Sequence, residues 1–395
     1  MKAVEPAPYE TTTDLTDRAI GTRSRSRAVW ILLTIGMVIL GSGLIVAGLS
    51  MAGTEGASAI LVPIVVDSTD DAAEAVTVVP ETTPLADGDI ILSDASAIGR
   101  AVVPSIVTVQ VYANVGGAGV ALLGSGSGVI YDDQGRIVTN AHVVDSGGSF
   151  EVVLADGRIY AATVVGVDRA TDLAVLETGA DSTVSISLGS TDALSVGEPA
   201  VAVGSPLGLD GGPSLTAGVL SAVDREVQTD STTTLFGMLQ TDAPITEGSS
   251  GGALVDGEGR LIGITTAVGV SSVGVEGIGF ATPVEIVTRV VDELIATGVA
   301  SEPYLGIVGA TAFETLPDDG RIPIGVQVES VEPGSAADRA GIVARDTITS
   351  ISSTGLETMD ELVAALRRYE AGASVEIDLL RGATRETLAV VLGAR

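Results

Sequence analysis

A serine set among glycines is the first feature of this sequence that indicates chemistry. Residues 248–252 are Gly-Ser-Ser-Gly-Gly, within the segment QTDAPITEGSSGGAL at 240–254. Glycine lets the backbone adopt positive φ and lets another chain approach closely. A nucleophile needs both, because its Oγ must be exposed beside N–H groups that stabilise an oxyanion. Most serine–glycine runs are turns, so Ser250 is a candidate nucleophile only if the chain also supplies a base and a carboxylate.

The base has a single candidate, because His142 is the only histidine of the 395 residues. It follows residues 124–138, whose pattern predicts two strands joined by an Asp-Gln-Gly turn, so its side chain would project from a rigid element. A solitary histidine is more often packed or solvated than catalytic. Asp172, which opens an apolar segment, is the candidate carboxylate, although such residues are usually caps or solvated edges.

The chain order His142, Asp172, Ser250 is the order found in two-barrel chymotrypsin-like proteases. In that arrangement the histidine and the aspartate lie on one β-barrel and the serine on the other. The expected chemistry is acyl transfer to water. His142 would take the proton from Ser250 Oγ, while Asp172 would hold the imidazole tautomer.

Several motifs around these residues resemble the HtrA/DegP family of serine proteases, and the resemblance covers the chain from about residue 98 to its end. The motifs are TNAHVV (139–144), TDLAVL (171–176), VGSPLGL (203–209), LTAGVLSA (215–222), EGSSGGALV (247–255) and GIGFATP (277–283). Two positions depart from the family pattern. Ser249 stands where the family has Asn, and residues 246–248 are Thr-Glu-Gly in place of Asn-Pro-Gly.

The resemblance implies a mainly β protein. Residues 98–300 would form a trypsin-like domain of two six-stranded barrels, and residues 301–395 a small α/β PDZ domain. Residues Gly248, Ser249 and Ser250 would shape the oxyanion hole, with the N–H groups of Gly248 and Ser250 as its donors. Both departures from the family pattern lie in this loop.

Substrate binding is also implied by the resemblance. The backbone of Ile278, Gly279 and Phe280 would pair with the substrate as an added strand. Pro244 occupies the position, six before the nucleophile, where trypsin-like enzymes carry an acid. We therefore expect a small apolar pocket that accepts aliphatic or small residues, and a structural role for Asp242.

The C-terminal region resembles one PDZ domain. Its carboxylate-binding loop would be Tyr304, Leu305, Gly306 and Ile307, where a C-terminal peptide would add as a strand; packing alone is the alternative role for this module. Arg345 replaces a family glycine in a predicted turn. Residues 358–361 predict a capping box that opens a helix at 359–369. The period of residues 283–297 predicts an amphipathic helix that ends at Gly298.

Composition narrows the function classes. Apolar residues make up 46% of the chain, glycines number 50, and 51 acidic against 20 basic residues give a net charge of −31. Nucleic acid is therefore not expected as a partner. Because there is no cysteine and one histidine, we expect no metal site and no cofactor.

The N-terminal region predicts a membrane anchor. Residues 1–27 form a polar tail with several arginines, and residues 28–53 carry no charge, which is long enough to span a bilayer. The positive-inside rule places the N-terminus in the cytoplasm and the rest of the chain outside the cell membrane. Residues 54–97 would be an acidic extended linker. A signal peptide cleaved near residues 57–59 and a core helix are the alternatives.

Two hypotheses for function follow. The first is a membrane-anchored serine endopeptidase of extracytoplasmic protein quality control or stress signalling, cleaving unfolded or signalling proteins and assembling as a homotrimer. The second is a PDZ-bearing chaperone or scaffold with a dormant protease fold.

Overall fold

Antiparallel strands build almost all of the described chain. The computed structural model describes residues 95–114, 120–205, 212–229, 233–266 and 277–395. Within these ranges the chain forms two closed six-stranded barrels and a further six-stranded sheet near the C-terminus. The predicted double barrel followed by a small α/β domain is therefore confirmed.

The N-terminal predictions fall outside these ranges. The tail at 1–27, the span at 28–53 and nearly all of the linker at 54–97 belong to residues that the structure does not describe. In the part that it does describe, no helix is long and apolar enough to cross a membrane. The anchor accordingly stays a prediction.

The first barrel is closed in the strand order β1-β2-β3-β6-β5-β4. A helix, α1 (Ala95–Val102), precedes it. Alternate residues of the first strand, Val107, Val109 and Val111, are buried in the barrel interior, as the period of a strand requires. The strands are β1 (Ile106–Asn114), β2 (Val120–Ile130), β3 (Ile137–Thr139), β4 (Ser149–Leu154), β5 (Ile159–Asp168) and β6 (Leu173–Thr178).

The predicted turn between β2 and β3 is confirmed. The Asp132 carboxylate accepts the N–H groups of Gln134 and Arg136 at 3.0 and 3.2 Å, and Gly135 takes a φ of 75°. This turn fixes the register in which β3 runs back beside β2. It therefore sets the direction of the short segment that carries His142.

The second barrel has the order β10-β11-β12-β9-β8-β7 and closes where β10 pairs with β7. Buried residues of the first barrel (Val138, Leu173) and of the second (Val203, Ile264) belong to one apolar cluster, so the barrels pack directly together. The strands are β7 (Pro199–Gly204), β8 (Ser214–Gln228), β9 (Thr234–Thr241), β10 (Ala253–Val255), β11 (Leu261–Thr266) and β12 (Gly279–Pro283).

The predicted amphipathic helix is α3 (Val284–Thr297), which follows the four-residue helix α2 (Ala141–Val144) that carries His142. Its apolar stripe, which includes Val287 and Val290, is buried in the cluster shared by the two barrels. Gly298 caps the helix at φ 79°, with its N–H on the Leu294 carbonyl oxygen at 2.8 Å. Both the helix and its cap are confirmed, and the chain leaves the two barrels at this point.

The C-terminal domain wraps one sheet, in the order β14-β15-β16-β18-β19 with β17 beside β16, around its own apolar core. The capping box of Thr358 and Glu361 is present. The elements are β13 (Pro303–Tyr304), β14 (Ile307–Thr315), β15 (Arg321–Val331), α4 (Ala336–Ala340), β16 (Thr347–Ile351), β17 (Thr354–Gly355), α5 (Met359–Leu366), β18 (Ser374–Arg381), β19 (Thr384–Val391) and β20 (Gly393–Ala394).

Helix α5 ends at Leu366, three residues before the predicted end. The Arg368 and Tyr369 N–H groups donate to carbonyls three residues back, at 3.2 and 3.1 Å, so the last turn tightens. Arg367 Nη1 donates to the Ala170 carbonyl oxygen of the first barrel at 2.7 Å. This contact, which the helical period of the sequence cannot reveal, fixes the end of the helix against the first barrel.

Arg345 occupies its turn at a φ of 77°, a region that L-residues other than glycine rarely adopt. Within the described residues its side chain makes no hydrogen bond or ion pair. The next residue, Asp346, is buried and accepts Arg381 Nη2 at 2.7 Å and the Val343 N–H at 2.9 Å. Burial alone would raise the pKa of Asp346, but these bonds outweigh it and hold the pKa below its ordinary value. The turn is thus formed with Arg345 in a position that favours glycine, under local strain.

Replacing Arg345 by glycine should relieve this strain. The left-handed conformation costs an L-residue about 1–2 kcal/mol, whereas glycine adds roughly 0.5–1 kcal/mol of unfolded-chain entropy. We expect Arg345→Gly to raise the unfolding free energy of the C-terminal sheet by roughly 0.5–1 kcal/mol, measured by hydrogen exchange of the β18 amides.

Gly341→Ala is the matched control, because φ there is 84° and no atom lies within 4 Å of an added Cβ. It should destabilise the same sheet by about 1 kcal/mol. A destabilising Arg345→Gly, or a neutral Gly341→Ala, would contradict the strain at Arg345.

Candidate active site

His142 lies in a four-residue helix, α2 (Ala141–Val144), directly after β3. The start of this helix is bound to the aspartate loop. Ala141 N–H and Asn140 Nδ2 both donate to the Asp172 carbonyl oxygen, at 3.1 and 2.9 Å. The backbone of Asp172 therefore positions the element that carries the imidazole, and 40% of the His142 side chain stays exposed.

Asp172 lies just before β6 in the left-handed region, with a φ of 57°. Its Oδ1 accepts the His142 backbone N–H at 3.0 Å, and its Oδ2 lies 2.7 Å from His142 Nδ1. Thr266 Oγ1 donates to the same Oδ2 at 3.3 Å. An ionised carboxylate only accepts hydrogen bonds, so Nδ1 is the donor in this contact, and in the neutral ring Nε2 is then the nitrogen without a proton.

Ser250 lies between a tight turn and the first residue of β10. The turn spans residues 246–249, where the Ser249 N–H donates to the Thr246 carbonyl oxygen at 2.9 Å. Gly248 is its third residue and takes a φ of 87°, as a type II turn requires. Within the described ranges the Gly248 N–H has no acceptor, whereas the Ser249 N–H is used inside the turn.

The glycines that follow Ser250 are required by close approach of other chains. A Cβ at Gly251, whose φ is 85°, would lie 2.2 Å from the Ser127 carbonyl oxygen and 2.4 Å from Thr139 Oγ1. A Cβ at Gly252 would lie 2.6 Å from the Val203 carbonyl oxygen. The run Ser-Gly-Gly thus lets the nucleophile loop press against both barrels.

One cavity of about 310 Å³ is lined by His142 from the first barrel and by Ser250, Gly248 and Glu247 from the second. The structure therefore brings the three candidate catalytic residues together, since Asp172 contacts His142 behind this cavity. Ser249 does not line this cavity; together with Pro244 and Thr265 it lines a separate cavity of about 50 Å³.

The prediction of a substrate-pairing strand is wrong at Phe280. Both backbone edges of Phe280 are already used, because β12 pairs with Thr266 of β11 and with Gln240 of β9 there. Gly279 pairs with Thr241 on one edge, and Ile278 precedes the strand. An added substrate strand has no free edge at Phe280.

Among the residues that the structure describes, one strand has an unpaired edge at the cavity. Strand β2 pairs with β1 along its length, but with β3 only at Val129 and Ile130. Leu123, Gly124 and Ser125 of this strand line the cavity beside His142. An extended chain in the cavity would therefore meet β2, which sequence reasoning did not identify.

The residues around the predicted specificity pocket are small or apolar. A Cβ at Gly279 would lie 2.5 Å from Ile245 Cδ1, so the Ile245 side chain fills the space beside β12. Asp242 Oδ1 accepts the Val219 N–H at 2.7 Å, and the expected structural contact of this carboxylate is present. Pro244 contributes no charge.

Sequence reasoning missed Asn140 and Thr266, which bind the carbonyl and the carboxylate of Asp172. Asn140 stands within the quoted TNAHVV motif, where its position beside His142 was a usable signal. No local pattern marks Thr266, whose partner is far away in the sequence.

The C-terminal loop predicted to bind carboxylates turns at Gly306, with a φ of 82°. Its carbonyls face the domain, since Leu305 O accepts the Ala337 N–H at 2.8 Å and Gly306 O accepts the Glu332 N–H at 3.0 Å. A Cβ at Gly306 would lie 2.2 Å from Ser335 Cβ, so only glycine fits. Ile307 begins β14, which lies at the edge of the sheet.

Comparison with known proteins agrees with this geometry. Residues 126–264 match the trypsin-like peptidase domain family, and residues 327–381 match a PDZ domain family. The serine protease Do-like HtrA of Lactococcus lactis subsp. cremoris is 38% identical over 292 residues, which are 69% of this chain and 72% of that protein. The periplasmic serine endoprotease DegP of Escherichia coli is 37% identical over 272 residues, covering 68% of this chain and 56% of DegP.

A solved structure, the HtrA-type protease AlgW with a decapeptide, superposes with a TM-score of 0.58 at 28% identity, and the match covers 76% of this chain and 98% of that one. The match therefore takes in both the barrels and the C-terminal domain. The chain belongs to the HtrA/DegP family of trypsin-like serine proteases with a PDZ domain, and it is a serine endopeptidase.

Proposed function

We propose that the protein hydrolyses peptide bonds through Ser250, His142 and Asp172. The observation that carries the proposal is the 2.7 Å contact of His142 Nδ1 with Asp172 Oδ2, behind a cavity that His142 shares with Ser250. Nε2 takes the hydroxyl proton as Oγ attacks the peptide carbonyl carbon, and the imidazolium then protonates the leaving amine. Water, deprotonated in the same way, releases the acyl group and restores Ser250.

The N–H groups of Gly248 and Ser250 are the proposed oxyanion donors. Support comes from the type II turn at Gly248 and from the Gly248 N–H, which has no acceptor among the described residues. Ser249, which replaces the family Asn, contributes its N–H to this turn and not to the hole. Removing one such donor typically lowers the rate by about 100- to 1000-fold, so the turn is central to the proposed chemistry.

The substrate is proposed to be an extended segment of an unfolded or signalling protein. An extended chain offers its backbone to a free strand edge, and β2 presents such an edge beside His142. Ile245 and Pro244 favour a small or aliphatic side chain before the cleaved bond, because they leave no charge and little space near β12.

The PDZ domain is proposed to bind C-terminal peptides at Tyr304, Leu305, Gly306 and Ile307. The inward carbonyls of this loop leave its N–H side for an incoming carboxylate. Strand β14 offers an edge for the peptide backbone. Helix α5 begins beside this strand, since the Met359 N–H donates to Thr311 Oγ1 of β14 at 3.1 Å. AlgW, the structural neighbour, is described with bound peptides.

Residues 28–53 are proposed to anchor the chain in the cell membrane, with the protease and PDZ domains extracytoplasmic and acting in protein quality control or stress signalling. The uncharged stretch after the arginine-containing tail supports the membrane anchor. The extracytoplasmic location is supported by the relative DegP, which is called periplasmic. Likeness to the family supports a homotrimer. The anchor is tested by washing membranes with carbonate: the protein should stay with the membranes, and its loss would refute the anchor. The homotrimer is tested by sedimentation of residues 98–395, which should give the mass of a trimer. A monomer mass would refute it.

The nucleophile is tested by fluorophosphonate labelling of the intact protein. Labelling should occur in the wild type and vanish in Ser250→Ala, whose peptidase kcat should fall about a million-fold. Ser249→Ala, one residue away, should still label, because it keeps the backbone N–H that closes the turn at 2.9 Å and loses only the long 3.5 Å contact of its hydroxyl with Thr246 Oγ1. Labelling that survives in Ser250→Ala, or that is lost only in Ser249→Ala, would assign the nucleophile elsewhere.

The PDZ loop is tested with two fluorescent peptides that share an aliphatic C-terminal sequence, one a free acid and the other its amide. Charge-assisted hydrogen bonds contribute about 1.5–3 kcal/mol, so the acid should bind about 10- to 150-fold tighter by anisotropy. Gly306→Ala should abolish the difference and leave fluorophosphonate labelling intact. Equal binding of the acid and the amide to the wild type would refute the proposed carboxylate-binding site.

A further inference from the structure

Ser127 lies in β2 with no exposed surface, where the first barrel meets the nucleophile loop. Its backbone N–H donates to the Ser250 carbonyl oxygen at 2.8 Å. Its hydroxyl donates to the Gly248 carbonyl oxygen at 2.7 Å. One residue of the first barrel therefore holds carbonyls on both sides of Ser249, and these carbonyls belong to the two residues that supply the proposed oxyanion donors.

The remaining polar atoms of Ser127 are also bound. Its Oγ accepts the Ser205 N–H at 2.7 Å, and its carbonyl oxygen accepts Thr139 Oγ1 at 2.7 Å. The Ser205 hydroxyl in turn shares a hydrogen bond with Thr108 Oγ1. This buried network joins three strands of the first barrel to the end of β7, so the hydroxyl that holds Gly248 is itself held in place.

Neighbouring segments of the chain pack closely around Ser127. A Cβ at Gly204 would lie 2.9 Å from Ser127 Oγ, and a Cβ at Gly251 would lie 2.2 Å from the Ser127 carbonyl oxygen. Without the hydroxyl, the Gly248 carbonyl oxygen and the Ser205 N–H would both lose this hydrogen-bond partner.

We propose that Ser127 is a positioning residue for peptide hydrolysis, holding Gly248 and Ser250 so that their N–H groups face the cavity. The inference rests on the proposed roles of these two residues. Gly248 has no side chain to restrict it, so its orientation depends on bonds to its carbonyl and on the turn. Because oxyanion donors act on charge that develops in the transition state, misplacing them lowers kcat more than it changes KM.

The test compares the intact wild type with Ser127→Ala, using fluorescein-labelled casein and a fluorophosphonate as probes. The expected result is a kcat and a phosphonylation rate about 10- to 100-fold lower, with KM within about twofold of wild type. A folded Ser127→Ala with wild-type kcat, or one in which only KM changes, would overturn the proposal.

Thr241→Val is the matched control. Thr241 is fully buried, and its hydroxyl likewise donates to a carbonyl (Val219 O, 2.8 Å) and accepts an N–H (Ala243, 3.1 Å). It should lose thermal stability much as Ser127→Ala does and keep its kcat. An equal loss of kcat in Thr241→Val would overturn the proposal, because it would show that Ser127 affects the rate only through general stability.

Two further variants separate the remaining outcomes. If Ser127→Ala does not fold, Ser127→Cys retains a weaker donor and should give an intermediate kcat; an unchanged kcat there would overturn the proposal. Casein cleavage that persists in Ser250→Ala would instead refute the proposed nucleophile, whatever Ser127 does.

Discussion

The contact between Asp172 and the segment that carries His142 is the constraint on which the site depends. The carboxylate of Asp172 binds the imidazole and the backbone N–H of His142, and its carbonyl binds Ala141 and Asn140. One residue thus fixes where α2 begins, how the ring is turned and which ring nitrogen carries the proton. Asp172 makes these contacts with both its main chain and its side chain while its backbone adopts a left-handed φ, which is a strained conformation for this residue.

The second constraint is the closeness of the two barrels behind the nucleophile. Gly251 and Gly252 lie so close to neighbouring chain segments that a side chain at either position would clash with them. Ser127 of the first barrel binds Gly248 and Ser250 of the nucleophile loop. The cavity therefore has one wall from each barrel, held at a fixed separation by backbone hydrogen bonds. Packing and chemistry are linked here, because the bonds that join the barrels also orient the nucleophile loop.

Much of this arrangement was predictable from local sequence. The period of residues 283–297, the capping box at Thr358 and the glycine after α3 each depend on neighbours along the chain, and all three are confirmed. The grouping of His142, Asp172 and Ser250 was accessible because their types and order are specific to one kind of chemistry.

The rest depends on contacts between distant residues. Ser127 and Gly248 are 121 positions apart, and Arg367 meets Ala170 across 197, so no local pattern marks either pair. The proposed substrate strand failed at Phe280 for the same reason, since which strands occupy its edges is decided by the closed barrel.

The tautomer in which Asp172 holds His142, with the ring proton on Nδ1 and Nε2 available to Ser250, can be measured directly. Because the chain has one histidine, ¹⁵N-histidine NMR of the tag-free protein at neutral pH reports this ring alone. We expect the Nδ1–H tautomer in the wild type and in Ser250→Ala, and its loss in Asp172→Asn. An Nε2–H tautomer in the wild type would contradict this expectation.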